Sequence, residues 1–170
     1  MTILEHLRGH GVSFELLLHS PASTSARRAG CMRVPGGIVA KAVLIQTRAR
    51  SLVAVLAATH SIDLDRLSTV LGLDRGEVRL ATEDEAAAVF HDCEAGVVPA
   101  FGGLYGLMTI VDEDLATRPR VVFGTNSRHE AVWMRFPDYA TLEAPLAARF
   151  ARAPEPRGRT NHPGAGRRAG

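Results

Sequence analysis

The chain has 170 residues, a net charge of +2, 46% hydrophobic residues and 5% aromatic ones. That length and apolar content suit one domain with a packed aliphatic core and exclude fibrous or wholly unfolded chains. No apolar run approaches the roughly 20 residues that span a bilayer, and the N-terminal MTILEH lacks a basic stretch leading into an apolar one. Neither a membrane span nor a secretory leader is therefore expected, and the cytoplasm is the expected compartment. The two cysteines, Cys31 and Cys93, have no metal-site spacing, and a chain of this size needs no disulfide staple, so two free thiols are expected.

The charge is unevenly placed. Residues 151–170 hold five arginines against Glu155, which leaves the first 150 residues at −2. A body of that charge is not a broad cationic surface for duplex DNA. The expected organisation is a domain over 1–150 and a disordered Pro/Gly/Arg-rich tail over 151–170.

Residues 2–10 read as a short helix with Ile3, Leu4 and Leu7 on one face, stopped by Gly11. Residues 12–18 (VSFELLL) read as a strand. A polar loop follows, in which Thr24 or Ser25 caps a short helix reaching Ala29 and ended by Gly30. Pro35-Gly36-Gly37 breaks the chain before an apolar strand over 38–47, and 51–58 (SLVAVLAA) returns beside it as a hairpin. Ser61 is the expected cap of a helix over 62–71 that Gly72 stops. A short strand at 78–81 leads to Thr82, which opens a helix with Asp and Glu in its first turn, favourable to the helix dipole, and ends near Phe90.

Residues 95–106 form a glycine-rich loop. Strands at 107–111, 120–124 and 130–134 follow, with a turn at 112–115 and a last helix capped by Asp138 and running through 146. Strands and helices are interspersed without strict βαβ alternation. The expected fold is α/β of the α+β type: a mixed, largely antiparallel twisted central sheet, partly barrel-like, with surrounding helices.

Two features point to chemistry. Lys41, in IVAKAVLI, is the one lysine beside nineteen arginines. Arginine replaces lysine on most solvated faces but not where a compact, titratable point charge is needed. A lysine that merely blunts a sheet edge is the ordinary alternative. The second feature is the loop Cys93-Glu94-Ala95-Gly96-Val97-Val98-Pro99-Ala100-Phe101-Gly102-Gly103. Its glycines permit close backbone approach and positive φ, Pro99 stiffens it, and Phe101 offers an apolar wall; a tight helix-to-strand connection is the plain alternative. No Gly-Lys-Ser/Thr follows the glycines, so this is not a phosphate-binding loop. No GxSxG elbow and no metal-ligand spacing of His or Cys is present. His19 and His129 flank turns near strand ends.

Taken in order, these segments resemble the YbaK / prolyl-tRNA synthetase-associated editing domain family, from about residue 2 to 146. The elements that carry the resemblance are the Thr/Ser loop around Thr24, the strand lysine of IVAKAVLI, the helix ending in Leu-Gly, the ATEDE helix, DCEAGVVPAFG, the strand ending in Val-Asp, and Asn-Ser-Arg-His-Glu. The resemblance implies a trans-editing deacylase that hydrolyses mischarged aminoacyl-tRNA with a positioned water and no metal or cofactor. Its implied partners are the tRNA 3′-terminal aminoacyl-adenosine and an aminoacyl-tRNA synthetase. It implies that Lys41, as catalytic residue, sits against the terminal adenosine and its phosphate. Gly96, Val98, Pro99, Ala100, Phe101 and Gly102 would hold the aminoacyl group, with Thr24, Asp112 and His129 as further substrate-binding positions. Ala100 stands where relatives usually carry a second proline, which alters the implied amino-acid pocket. A non-catalytic module of the same fold that binds tRNA ends or nucleotides is the alternative.

Overall fold

The computed structural model describes residues 1–21 and 24–154. The expected tail beyond 154 lies outside the described residues. Among the described residues no helix is long and apolar enough to cross a membrane.

The hairpin expected from the two apolar runs forms the middle of the main sheet. Strand β2 (Ala40–Thr47) pairs antiparallel with β3 (Ser51–Ala57), with Lys41 opposite Leu56 and Leu44 opposite Val53. From Leu52 onward β3 is buried along its length, as a strand covered on both faces must be. Three shorter strands complete the sheet in the order β5-β2-β3-β6-β9: β5 (Val78–Leu80), β6 (Met108–Asp112) and β9 (Leu146–Ala148). β6 runs parallel to β3, and β9 parallel to β6.

A second sheet, antiparallel, has the order β1-β8-β7, from β1 (Phe14–Leu18), β7 (Arg120–Gly124) and β8 (Glu130–Arg135). The two sheets touch at a single parallel bridge, Val39 to Val122, without closing into a barrel. β4 (Ser61–Ile62) and β10 (Ala151–Arg152) make a two-stranded pair.

The two faces of β2 serve different cores, because side chains alternate along a strand. Ala40 and Leu44 join Val53, Val55, Phe101, Phe123 and Tyr139 in the larger cluster. Ile45 joins Leu52, Leu56, Leu67, Ile110 and Phe150 in the other. Lys41, opposite Leu56, shares the face of that second cluster.

Helices cover both sides. α1 (Ile3–Gly9) opens with a capping box between Thr2 and Glu5, and α4 (Glu83–Val89) with one between Thr82 and Glu85. Thr24, not Ser25, caps α2 (Ser25–Met32), which runs through Gly30 and ends at Arg33 in the left-handed region.

Three local expectations are corrected. Ser61 belongs to β4 and the cap of α3 (Leu64–Leu71) is Asp63, whose Oδ1 accepts from the N–H groups of Asp65 and Arg66. The 112–115 turn is a one-turn helix, α5 (Glu113–Ala116), capped by Asp112. α6 spans Phe136–Glu143 with Arg135 at its cap and Ala144 ending it in the left-handed region, so Asp138 lies inside its first turn and residue 146 is already β9. The ordered fold continues through β10, where Arg152 Nε reaches Asp63 Oδ2 at 2.7 Å.

Candidate functional site

The larger-core face of β2 carries a cleft of about 400 Å³. Its floor is small: Ala40, Ala42, Ala100 and Gly124. Its walls are Thr24, Ser25 and Arg28 from the start of α2, Glu83 from α4, Ala95 to Val98 from the glycine-rich loop, and Arg128 from the β7–β8 turn. A second, more apolar hollow adjoins it through Ala42, Glu83 and Ala95 to Val98, and extends to Phe90 and Cys93.

The loop is held at both ends and free in the middle. At its start, the Glu94 carboxylate accepts from Ser127 Oγ at 3.0 Å and from the Arg128 N–H at 2.8 Å. Those contacts, the backbone bond first, hold the Glu94 carboxyl below its ordinary range. Beside it Asn126 Nδ2 donates to Asp92 and to Tyr105 Oη, while its Oδ1 receives the N–H of Ile3 at 2.8 Å. At the far end the Tyr139 hydroxyl donates to the Ala100 carbonyl at 2.7 Å. Gly102 N–H then donates to Thr109 Oγ1, and Gly103 N–H to Glu143 Oε1 at 2.8 Å.

Between these clamps Gly96 takes φ +78°, a left-handed conformation that suits glycine. Val97 N–H turns back to the Glu94 carbonyl. The N–H groups of Gly96, Val98 and Ala100 have no acceptor among the described residues. Backbone donors without internal partners, on a loop clamped at both ends, are what a bound carbonyl or oxyanion requires.

The expected site residues separate into groups. Thr24, Gly96, Val98 and Ala100 line the cleft together. Pro99 is buried and does not line the cleft. Phe101 is fully buried, edge-on to Phe123 and Tyr139, and is a core side chain. Gly102 is buried against Thr109 and Val53. His129 is exposed, its N–H on Ser127 Oγ, one residue past the cleft-lining Arg128.

Lys41 does not line the cleft. Its side chain leaves the other face of β2, is half-buried, and donates to the His60 carbonyl at 2.5 Å. Burial pushes its ammonium below the ordinary lysine range.

Asp112 is 2% exposed and its carboxylate is occupied by backbone: Oδ2 accepts from Phe150 and Ala151 at 2.9 and 2.8 Å, and Oδ1 from Asp114. It fastens the end of β6 to the β9–β10 connection. Asp112→Ala leaves two buried N–H groups without an acceptor and is expected to cost about 2–5 kcal/mol of stability. Urea unfolding measures it; an unchanged midpoint with lost activity would move Asp112 to the substrate.

Sequence reading missed Arg28, Arg128, Glu83 and Gly124. Arg28 is 8% exposed, and its Nε is buried with no hydrogen-bond partner. Burial alone pushes its guanidinium below the ordinary arginine range. Cys93 offers no nucleophile: burial, first among its causes, pushes the thiol up, so it stays protonated near neutrality. Among the described residues no three His, Cys, Asp or Glu side chains are grouped to hold a metal ion.

Several solved structures share the fold. The hypothetical protein APE2540 superposes with a TM-score of 0.79 at 18% identity, over 88% of this chain and 99% of its own. A candidate trans-editing enzyme for prolyl-tRNA synthetase gives 0.76 at 17%, over 89% and 95%. A candidate signal transduction protein from Marinobacter aquaeolei VT8 gives 0.67 at 21%, over 87% of this chain and 30% of its own. At these identities the likeness concerns the fold. No curated protein matches. The aminoacyl-tRNA editing domain profile matches residues 19–142, which include α2, β2, the glycine-rich loop and Arg128, and the chain belongs to that family.

Proposed function

We propose that this protein is an aminoacyl-tRNA deacylase that acts in trans on mischarged tRNA, with the reacting ester in the cleft between α2, β2, α4 and the 95–100 loop. The observation that carries this is the loop middle: Gly96, Val98 and Ala100 with unused N–H groups, clamped through Glu94 and Tyr139, in a member of the editing-domain family. An aminoacyl ester is already activated, so its hydrolysis asks for orientation, a positioned water and donors for the developing oxyanion. The unused N–H groups serve as those donors. Glu83, at the cleft rim, receives the substrate's α-ammonium. No side-chain nucleophile enters the step: water adds to the ester carbonyl, the carbonyl carbon–ribose oxygen bond breaks, one proton of the water goes to the leaving ribose oxygen and the other to solvent, and the amino acid departs as its carboxylate.

Lys41 has a different part. Its ammonium has one neutral acceptor and no carboxylate partner among the described residues, on the strand that floors the cleft but on the opposite face. We assign it to anchoring the anionic tRNA end as a point charge, and leave the oxyanion to the loop.

Deacylation of a panel of mischarged tRNAs tests the reading. Release of at least one amino acid above the uncatalysed rate is expected, with Tyr139→Phe slowing turnover about tenfold by loosening Ala100. Binding of uncharged tRNA with no turnover on any panel member would make the protein a non-catalytic reader of tRNA ends.

A further inference from the structure

We propose that Arg28 is an anion receptor built into the cleft, and that its ligand is a carboxylate on the acyl part of the substrate, as in aspartyl or glutamyl esters. This rests on the deacylase reading and deepens it. An arginine so deeply buried is ordinarily paired, because an uncompensated buried charge is costly. Arg28 has no hydrogen-bond or ion-pair partner among the described residues, and burial is the one influence on its titration. Yet it lines the cleft.

The fold makes room for the guanidinium. A side-chain carbon at Gly124 would collide with Nη1 and lie 3.0 Å from Cζ, so any other residue there would push the guanidinium out of this position. The surrounding floor of Ala40, Ala42 and Ala100 supplies no competing acceptor side chain.

The ligand follows from the same facts. A guanidinium presents a planar fork that matches two oxygens on one carbon or phosphorus. Depth favours the acyl group over the tRNA backbone, since Arg28 is nine-tenths buried. The cleft also pairs opposite charges: Glu83 suits an α-ammonium and Arg28 a side-chain carboxylate. The terminal phosphate of the tRNA is the other source of the same oxyanion chemistry, and the test separates the two.

Binding is measured by calorimetry, independently of turnover, with non-hydrolysable 3′-aspartylamino- and 3′-asparaginylamino-3′-deoxyadenosine and with AMP against adenosine. The aspartyl analogue is expected to bind wild type about 10- to 100-fold more tightly than the asparaginyl one. Arg28→Gln should bring that ratio near one. If Arg28→Gln instead abolishes a preference for AMP over adenosine, the receptor stands and its anion is the phosphate. Equal ratios in wild type and variant for both pairs overturn the proposal. Arg28→Met keeps the fold under control: removal of an unpaired buried charge should leave the melting temperature unchanged or raised, whereas a clear drop would make Arg28 a structural residue. Because these probes are not hydrolysed, their binding tests Arg28 even in a chain that turns over no aminoacyl-tRNA.

Discussion

Gly102→Ala lowers the melting temperature by about 10 °C. A Cβ at this position would stand 2.6 Å from Thr109 Oγ1 and 3.2 Å from both the Leu107 carbonyl and Val53 Cγ2. None of these can withdraw easily. Thr109 is β-branched and 4% exposed on β6, and Val53 is fully buried on β3. Overpacking of a dense core costs about 1–3 kcal/mol. The displaced hydroxyl also accepts from Gly102 N–H and donates to Glu143, so two hydrogen bonds worth about 1 kcal/mol each are disturbed. A total of about 3–4 kcal/mol corresponds to about 10 °C in a chain of this length.

The neighbour provides the contrast. The nearest atoms to a Cβ on Gly103 are those of the Glu143 carboxylate, the closest at 3.3 Å, a side-chain end that need give by only a few tenths of an ångström and can do so while keeping its bonds to Gly103 and Thr109. Gly103→Ala should therefore shift melting by only about 2–3 °C. Thermal unfolding followed by circular dichroism decides; equal shifts for the two variants would mean that the loop exit is not packed as described. Deacylation should fall with Gly102→Ala even below its melting point, because Glu143 and Thr109 fix the end of the loop whose middle we propose faces the ester.

The hairpin β2–β3 and the start of α4 are legible in the sequence because their causes are local: a long apolar run, and Thr82 three residues before Glu85. β9 and β10 are not legible. They have three and two residues, and they form because β6 and β4 offer free edges far away in the chain. The same long-range pairing draws Ser61 into β4 and passes the cap of α3 to Asp63.

In the site, Gly96 and Pro99 announce the loop because special backbone needs special residues. Phe101 looks identical in sequence whether it walls a pocket or fills a core; only the approach of Phe123 and Tyr139 decides for the core. Arg28 is hidden by abundance. Among nineteen arginines nothing marks Arg28 as buried and without a partner among the described residues. Period-two alternation does separate Lys41 from Ala40 and Ala42. Which face bears the cleft, however, depends on where α2 and the loop land, and no local pattern carries that information.

Lys41→Ala raises KM for aminoacyl-tRNA about 10- to 100-fold, the worth of one charge-assisted contact, and changes kcat much less. An anchor that lies off the cleft contributes equally to ground and transition states, which is uniform binding. Stability should barely move. The substitution removes one hydrogen bond to His60 but also a desolvated charge, and these oppose each other. The pH dependence has a definite sign. Burial lowers the folded-state pKa below the ordinary 10.5, so the charged anchor is lost at a lower pH than an exposed lysine would be, as pH rises through that lowered value. In the same window, between the lowered pKa and 10.5, the unfolded chain holds the extra proton, so stability rises with pH. Lys41→Arg stays charged throughout and should abolish the alkaline loss of tRNA binding. Steady-state kinetics on the best substrate of the panel, with tRNA binding measured across the alkaline range, reads all of this. A collapse of kcat in Lys41→Ala at unchanged KM would overturn the anchoring role, because it would place the ammonium at the reacting ester and not on the remote end of the tRNA.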